Sequence, residues 1–102
     1  MDEKPFIIDG LQYSKWSREI FSQMNRGSIA AAHVTICYHE NFRETVENIA
    51  TWNKRFKKFS DLIVHGLNVE DISNAYSNGK TAIIFGFQNC SPIEQNISFV
   101  EI

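Results

Sequence analysis

The chain has 102 residues, of which 43% are hydrophobic, 22% charged and 13% aromatic, an ordinary globular composition. Five glycines and two prolines exclude a collagen-like or low-complexity chain. A formal net charge of −2 argues against a dedicated nucleic-acid binder, which carries a basic excess, and no apolar stretch approaches the ~20 residues of a membrane helix. Met1-Asp2-Glu3-Lys4-Pro5 has no cationic flank leading into an apolar segment, and two cysteines cannot build a disulfide scaffold. The expected setting is therefore the cytoplasm, with both thiols free.

Phe6-Ile7-Ile8 reads as a short buried strand closed by a turn at Asp9-Gly10. Trp16, Ile20, Phe21 and Met24 then share one helical face; Ser14 is placed to cap that helix and Gly27 to supply a left-handed stop. Ile29–Cys37 is a second apolar run, β-branched in its later half, and reads as a strand. Residues 41–59 carry the clearest periodicity. Phe42, Val46, Ile49, Trp52, Asn53, Phe56 and Phe59 recur at three and four, with Asn41 as the cap, which predicts a long amphipathic helix. Residues 61–64 form a short extended piece. Asn68 caps a further helix with Val69, Ile72 and Tyr76 on one face, ended by Gly79. Thr81–Phe87 is a strand, and a last helix is expected after Ser91-Pro92, still running at Ile102. Strands apolar on both faces, separated by amphipathic helices, predict an α/β fold with a parallel sheet.

In parallel α/β folds chemistry sits just past the C-terminal ends of the strands. That rule gathers Asp9 to Tyr13, then Cys37, Tyr38, His39 and Glu40, then Phe87, Gln88, Asn89 and Cys90. His39, Glu40 and Cys90 are the set with zinc-compatible donors. Their spacing carries no ligand signature, however, and a polar turn capping the long helix beside a small buried thiol accounts for them more simply. His33 reads as a hydrogen-bonded core residue within its strand, and His65 as a loop residue. Neither a nucleophile elbow nor a phosphate-binding glycine loop is present. The basic run 54–58 reads as a solvated helix end, its cations favoured by the helix dipole, rather than a nucleic-acid patch.

Three segments together resemble the start of the membrane (renal) dipeptidase family: Phe6 to Gly10, Gly27 to Val34, and Gly79-Lys80-Thr81 through Gln88-Asn89. That resemblance covers the whole chain in order and separation. It implies the N-terminal portion, about three to four β/α units, of a TIM-type (β/α)8 barrel of about 250 residues. It also implies a two-zinc site that hydrolyses dipeptides, with residues 1–102 a single partial domain. The family's first-strand His and Asp ligands fall on Leu11 and Tyr13, and its bridging Glu on Gln88. Leucine has no donor atom, tyrosine holds its proton near neutral pH, and glutamine offers a neutral carbonyl, so zinc is implied by the family and not matched by these positions. The pocket the resemblance implies for a small peptide or amide is lined by Gln12, Tyr13, Tyr38, His39, Gln88 and Asn89. Two other readings stand beside it: a metal-free, non-catalytic barrel-derived binding or structural protein, and a small α/β domain that self-associates through its strand edges.

Overall fold

The computed structural model describes residues 6–12 and 15–101, with residues 11 and 12 as backbone alone. Four strands, β1 (Ile7–Gln12), β2 (Ile29–Cys37), β3 (Ile63–His65) and β4 (Thr81–Phe87), form one wholly parallel sheet in the order β1-β2-β4-β3. Helices α1 (Arg18–Arg26), α2 (Phe42–Lys58) and α3 (Val69–Ser77) make the connections. The fold is mixed α/β, and no helix among the described residues is long and apolar enough to cross a membrane.

Strand alternation sets the two faces of β2. Ala32, Val34 and Ile36 face Phe21 and Met24 of α1 and Trp52 of α2, with Phe59, Ile63 and Ile83 completing that core. Ala31 faces the other way and meets Ala75 of α3 and Ala82 of β4. Three alanines at that contact let the α3 backbone approach the sheet closely. The two-sided cover follows from strand order. The chain moves in one direction through α1 and α2, and those helices share a face. β3 lies outside β4, so the β3-α3-β4 connection runs back, and a right-handed crossover then puts α3 on the opposite face.

The N-terminal rim of the sheet is pinned by Asn25. Its amide nitrogen donates to the carbonyls of Phe21 (2.8 Å) and Leu62 (3.1 Å) and to Thr81 Oγ1 (3.3 Å), and the Thr81 hydroxyl donates to the Ile29 carbonyl (2.8 Å). One side chain thereby joins α1, the α2–β3 turn and β4, and through Thr81 reaches β2.

Several boundaries differ from the sequence expectation. β1 does not turn at Asp9-Gly10: it runs to Gln12 through a register irregularity between Asp9 and Gln12. Helix α1 is capped by Ser17, whose Oγ accepts from Ile20 N–H (3.4 Å); Ser14 lies outside the described residues, as do Tyr13 and Ile102. After α1 the left-handed position is taken by Ser28 (φ 60°), while Gly27 has φ −80°. The extended piece after α2 begins two residues later than expected, because residues 59–62 form a hydrogen-bonded turn in which Phe59's carbonyl accepts from Leu62 and Ile63. The last helix is replaced by two 3₁₀ turns, Ser91–Ile93 and Ile97–Glu101. Pro92 lacks a donor, and the Asn89 and Asn96 side-chain oxygens accept from Ser91 N–H (2.7 Å) and Ser98 N–H (3.1 Å), which closes local turns in place of a continuous helix.

Candidate functional site

The turns after β2 and β4 are zipped together at the C-terminal rim. Gln88 N–H donates to the Cys37 carbonyl (2.9 Å), and Ser91 Oγ donates to the Glu40 carbonyl (2.7 Å). Buried Cys37 points its thiol at the same Glu40 carbonyl (3.6 Å) and lies 3.5 Å from Ser91 Oγ. The Asn89 side-chain amide nitrogen lies 3.1 Å from His39 Nδ1. The Glu40 carboxylate accepts from its own N–H and from Tyr38 N–H (2.7 Å), and these donors hold its carboxyl below the usual range.

His33 and Thr35 alternate onto the same face of β2 as Ala31, the side on which α3 packs. Their side chains form a polar strip with the neighbouring strands. His33 Nδ1–H donates to the Gly10 carbonyl of β1 (3.0 Å), its ring lying against Gly86 of β4. Thr35 Oγ1 accepts from the Gln88 amide nitrogen (3.2 Å). The strip therefore offers hydrogen-bond donors and acceptors from an imidazole, a hydroxyl and a primary amide. Such groups hold and orient an amide or carboxamide by hydrogen bonding.

Of the expected site residues, Gln88, Asn89, His39 and Tyr38 all stand at this rim, but they do not share one depression. Gln88 joins the strip. Asn89 lines an apolar cavity of about 400 Å3 with Phe42, Ile49, Phe87 and Phe99. Tyr38 lines a separate polar cavity of about 250 Å3 with Trp16, Trp52 and Arg55. Tyr13 and the side chain of Gln12 lie outside the described residues. His33 and Thr35 were detectable through the two-residue alternation that sets them on one face of β2. Three other expectations are corrected. Cys90 is exposed, and Cys37 is the buried thiol. His65 closes β3 and stacks between Phe56 (5.0 Å between centroids) and Phe85 (4.4 Å), so it is no loop residue. Arg55 is half-buried over Trp52, unlike the fully solvated cation the basic run suggests.

The pattern of strands, rim and chain order has a counterpart among known structures. This chain is similar to an amidohydrolase. The match is a crystal structure from Pseudomonas aeruginosa, 42% identical, with a TM-score of 0.90 over 94% of this chain. The chain spans 30% of that protein's length. No family model matches the chain, and no curated protein does.

At the positions where the resemblance puts zinc ligands, the side chains present do not suit a paired zinc centre. Leu11 supplies no donor, and Gln88 is a neutral amide whose nitrogen already serves Thr35. Carboxylates balance the charge of a paired-cation centre, and these positions provide none. Among the described residues no group of three His, Cys, Asp or Glu side chains converges in metal-binding geometry.

Proposed function

We propose that this chain is the N-terminal β/α portion of a membrane-dipeptidase-like hydrolase that acts on the amide bond of a small peptide, its parallel sheet continuing as a (β/α)8 barrel. The observation that carries the reading is the 42% identity to an amidohydrolase across 94% of the chain. Asp9-Gly10 within β1 and Gln88-Asn89 at the end of β4 support it, since they lie where the resemblance puts the dipeptidase motifs. In this reading the polar strip binds and orients the peptide. The Gln88 amide and Thr35 hydroxyl receive a carbonyl or amide group, and His33, braced by Gly10, flanks them.

A second reading is favoured by Leu11, Tyr13 and Gln88: a protein of the same architecture that binds such a ligand without cleaving it. Assaying the natural full-length product against a panel of dipeptides, with and without added zinc, separates the two. Turnover lost to a chelator supports hydrolysis. Saturable dipeptide binding with no turnover under either condition overturns hydrolysis and leaves the binding protein. Elemental analysis of Gln88→Glu adds a direct probe, because that substitution restores a bridging-type carboxylate, and zinc content is expected to rise relative to the unsubstituted protein.

A further inference from the structure

The polar cavity beside the sheet, about 250 Å3 in volume, lies between the segment entering α1, the end of β2 and the last turns of α2. Its cationic wall is Arg55. The guanidinium lies 4.7 Å from the centroid of Trp52, and the ion pairs among the described residues are Arg18–Asp61 and Arg43–Glu47, neither of which involves it. Burial pulls its pKa down by desolvation, yet a guanidinium keeps its charge at any physiological pH. Among the described residues this partly buried cation makes no ion pair, and an incoming anion offsets part of its desolvation cost.

Neighbouring polar groups in the cavity are already engaged with backbone. Asn48 Nδ2 donates to the Ile36 carbonyl (3.0 Å), and the Thr51 hydroxyl donates to the Glu47 carbonyl (3.1 Å). Arg55 brings a charged donor fork to the cavity, beside Trp16, Trp52, Tyr38 and Thr35. A guanidinium resting on an indole presents its N–H fork along its edge, in the geometry that accepts a carboxylate with two parallel hydrogen bonds. Glu40 also lines the cavity, and its carboxyl is held ionised by backbone N–H groups. One fixed negative charge against one positive charge disfavours a dianion and tolerates a monoanion. The volume accommodates a ligand of several heavy atoms, and the indoles of Trp16 and Trp52 give its body an apolar wall.

We propose that this cavity binds a small organic monocarboxylate, its carboxylate paired with the Arg55 fork and its body resting against the Trp16 and Trp52 indoles. Thr35, which contributes to the polar strip, also lines this cavity, so the two sites adjoin; the proposal does not depend on amide hydrolysis.

The chain has two tryptophans, and both line the cavity, so intrinsic fluorescence reports directly on occupancy. The test is titration with sodium butyrate at constant ionic strength, with sodium phosphate and sodium chloride as parallel arms. Butyrate is expected to change the emission saturably, chloride to leave it unchanged, and phosphate to bind at least about tenfold more weakly. Arg55→Gln is expected to weaken butyrate by about tenfold or more, and Arg55→Lys, which keeps charge and stem but loses the fork, to fall between the two. The Lys variant keeps the test valid if the Gln variant loses its packing on Trp52, which circular dichroism reveals. Absence of a saturable response to butyrate into the tens of millimolar overturns the proposal. Equal affinity in wild type and Arg55→Lys overturns the fork, and phosphate binding as tightly as butyrate overturns the monocarboxylate.

Discussion

Two residues on β3 and β4 show how close contacts translate into measurable effects. Gly86 lies directly under the His33 ring, and a Cβ built there would overlap the ring atoms. Gly86→Ala therefore forces His33 away from the Gly10 carbonyl, and the expected cost is about 1–3 kcal/mol in denaturant unfolding. In a His33→Ala background the same change should cost much less, a coupling that a double-mutant cycle reads directly. Equal costs in both backgrounds would refute the contact. His65 bears on pH. Its ring is stacked against Phe56 and Phe85, and desolvation by those neighbours lowers its pKa from the ordinary value near 6.5, outweighing a smaller opposing attraction to Asp71. A histidine whose folded pKa is depressed binds fewer protons folded than unfolded. Its contribution is fully present above the unfolded pKa and is lost as pH falls through the lower folded value. Unfolding midpoints measured from neutral to mildly acidic pH should decline, and His65→Phe should flatten that part of the decline. An unchanged slope in the variant would assign the pH dependence to other groups.

At the level of elements, capping is the clearest determinant. Asn41 Oδ1 accepts from Glu44 N–H (2.9 Å) while the Glu44 carboxylate accepts from Asn41 N–H (3.3 Å), a reciprocal capping box at the start of the longest helix. Asn41→Ala is expected to lower stability by about 1 kcal/mol in chemical denaturation, with the native circular dichroism spectrum retained. A change within experimental error would show that tertiary packing alone fixes the start of α2. Such caps made the helices legible in the sequence: Asn41 and Asn68 sit at the N-termini of α2 and α3, and Gly79 takes φ +70° just past α3. The β1 boundary was not legible, because Asp9-Gly10 is a turn signal locally and a strand irregularity once β2 pairs alongside it. The tail failed for a similar reason. Local asparagine side-chain bonds compete with a helix there, and helical periodicity does not register them. For the candidate site, rim positions followed from strand ends. Arg55 was missed because composition marks it as one of several cations, and only the i, i+3 spacing to Trp52 sets it over an indole.

Across the whole molecule, the side of the sheet on which α3 packs depends on strand order, which no hydrophobic period encodes. That order also leaves pairing capacity unused. β3 pairs only with residues 81–83 of β4, and among the described residues no strand lies outside β1. The β1 edge is apolar as well: Phe6, Ile7 and Ile8 are 51%, 41% and 53% exposed. Lysine, proline and inward charge are the usual devices that keep an open edge from pairing; Phe6-Ile7-Ile8 contains none of them, and Asp9 is the one charged residue within β1. Backbone donors and acceptors along such an edge gain hydrogen bonds, and the side chains gain burial, when a second copy adds its own edge. The 102-residue chain is therefore expected to self-associate, its weight-average mass in sedimentation equilibrium rising with concentration. Ile8→Lys places a charge on that edge at an already exposed position, so it should shift the equilibrium toward monomer with little change in unfolding midpoint. A wild-type chain that stays monomeric at every concentration would count against edge pairing. Association undiminished by Ile8→Lys would move the contact to another surface, such as the exposed apolar side chains Ile97 and Val100.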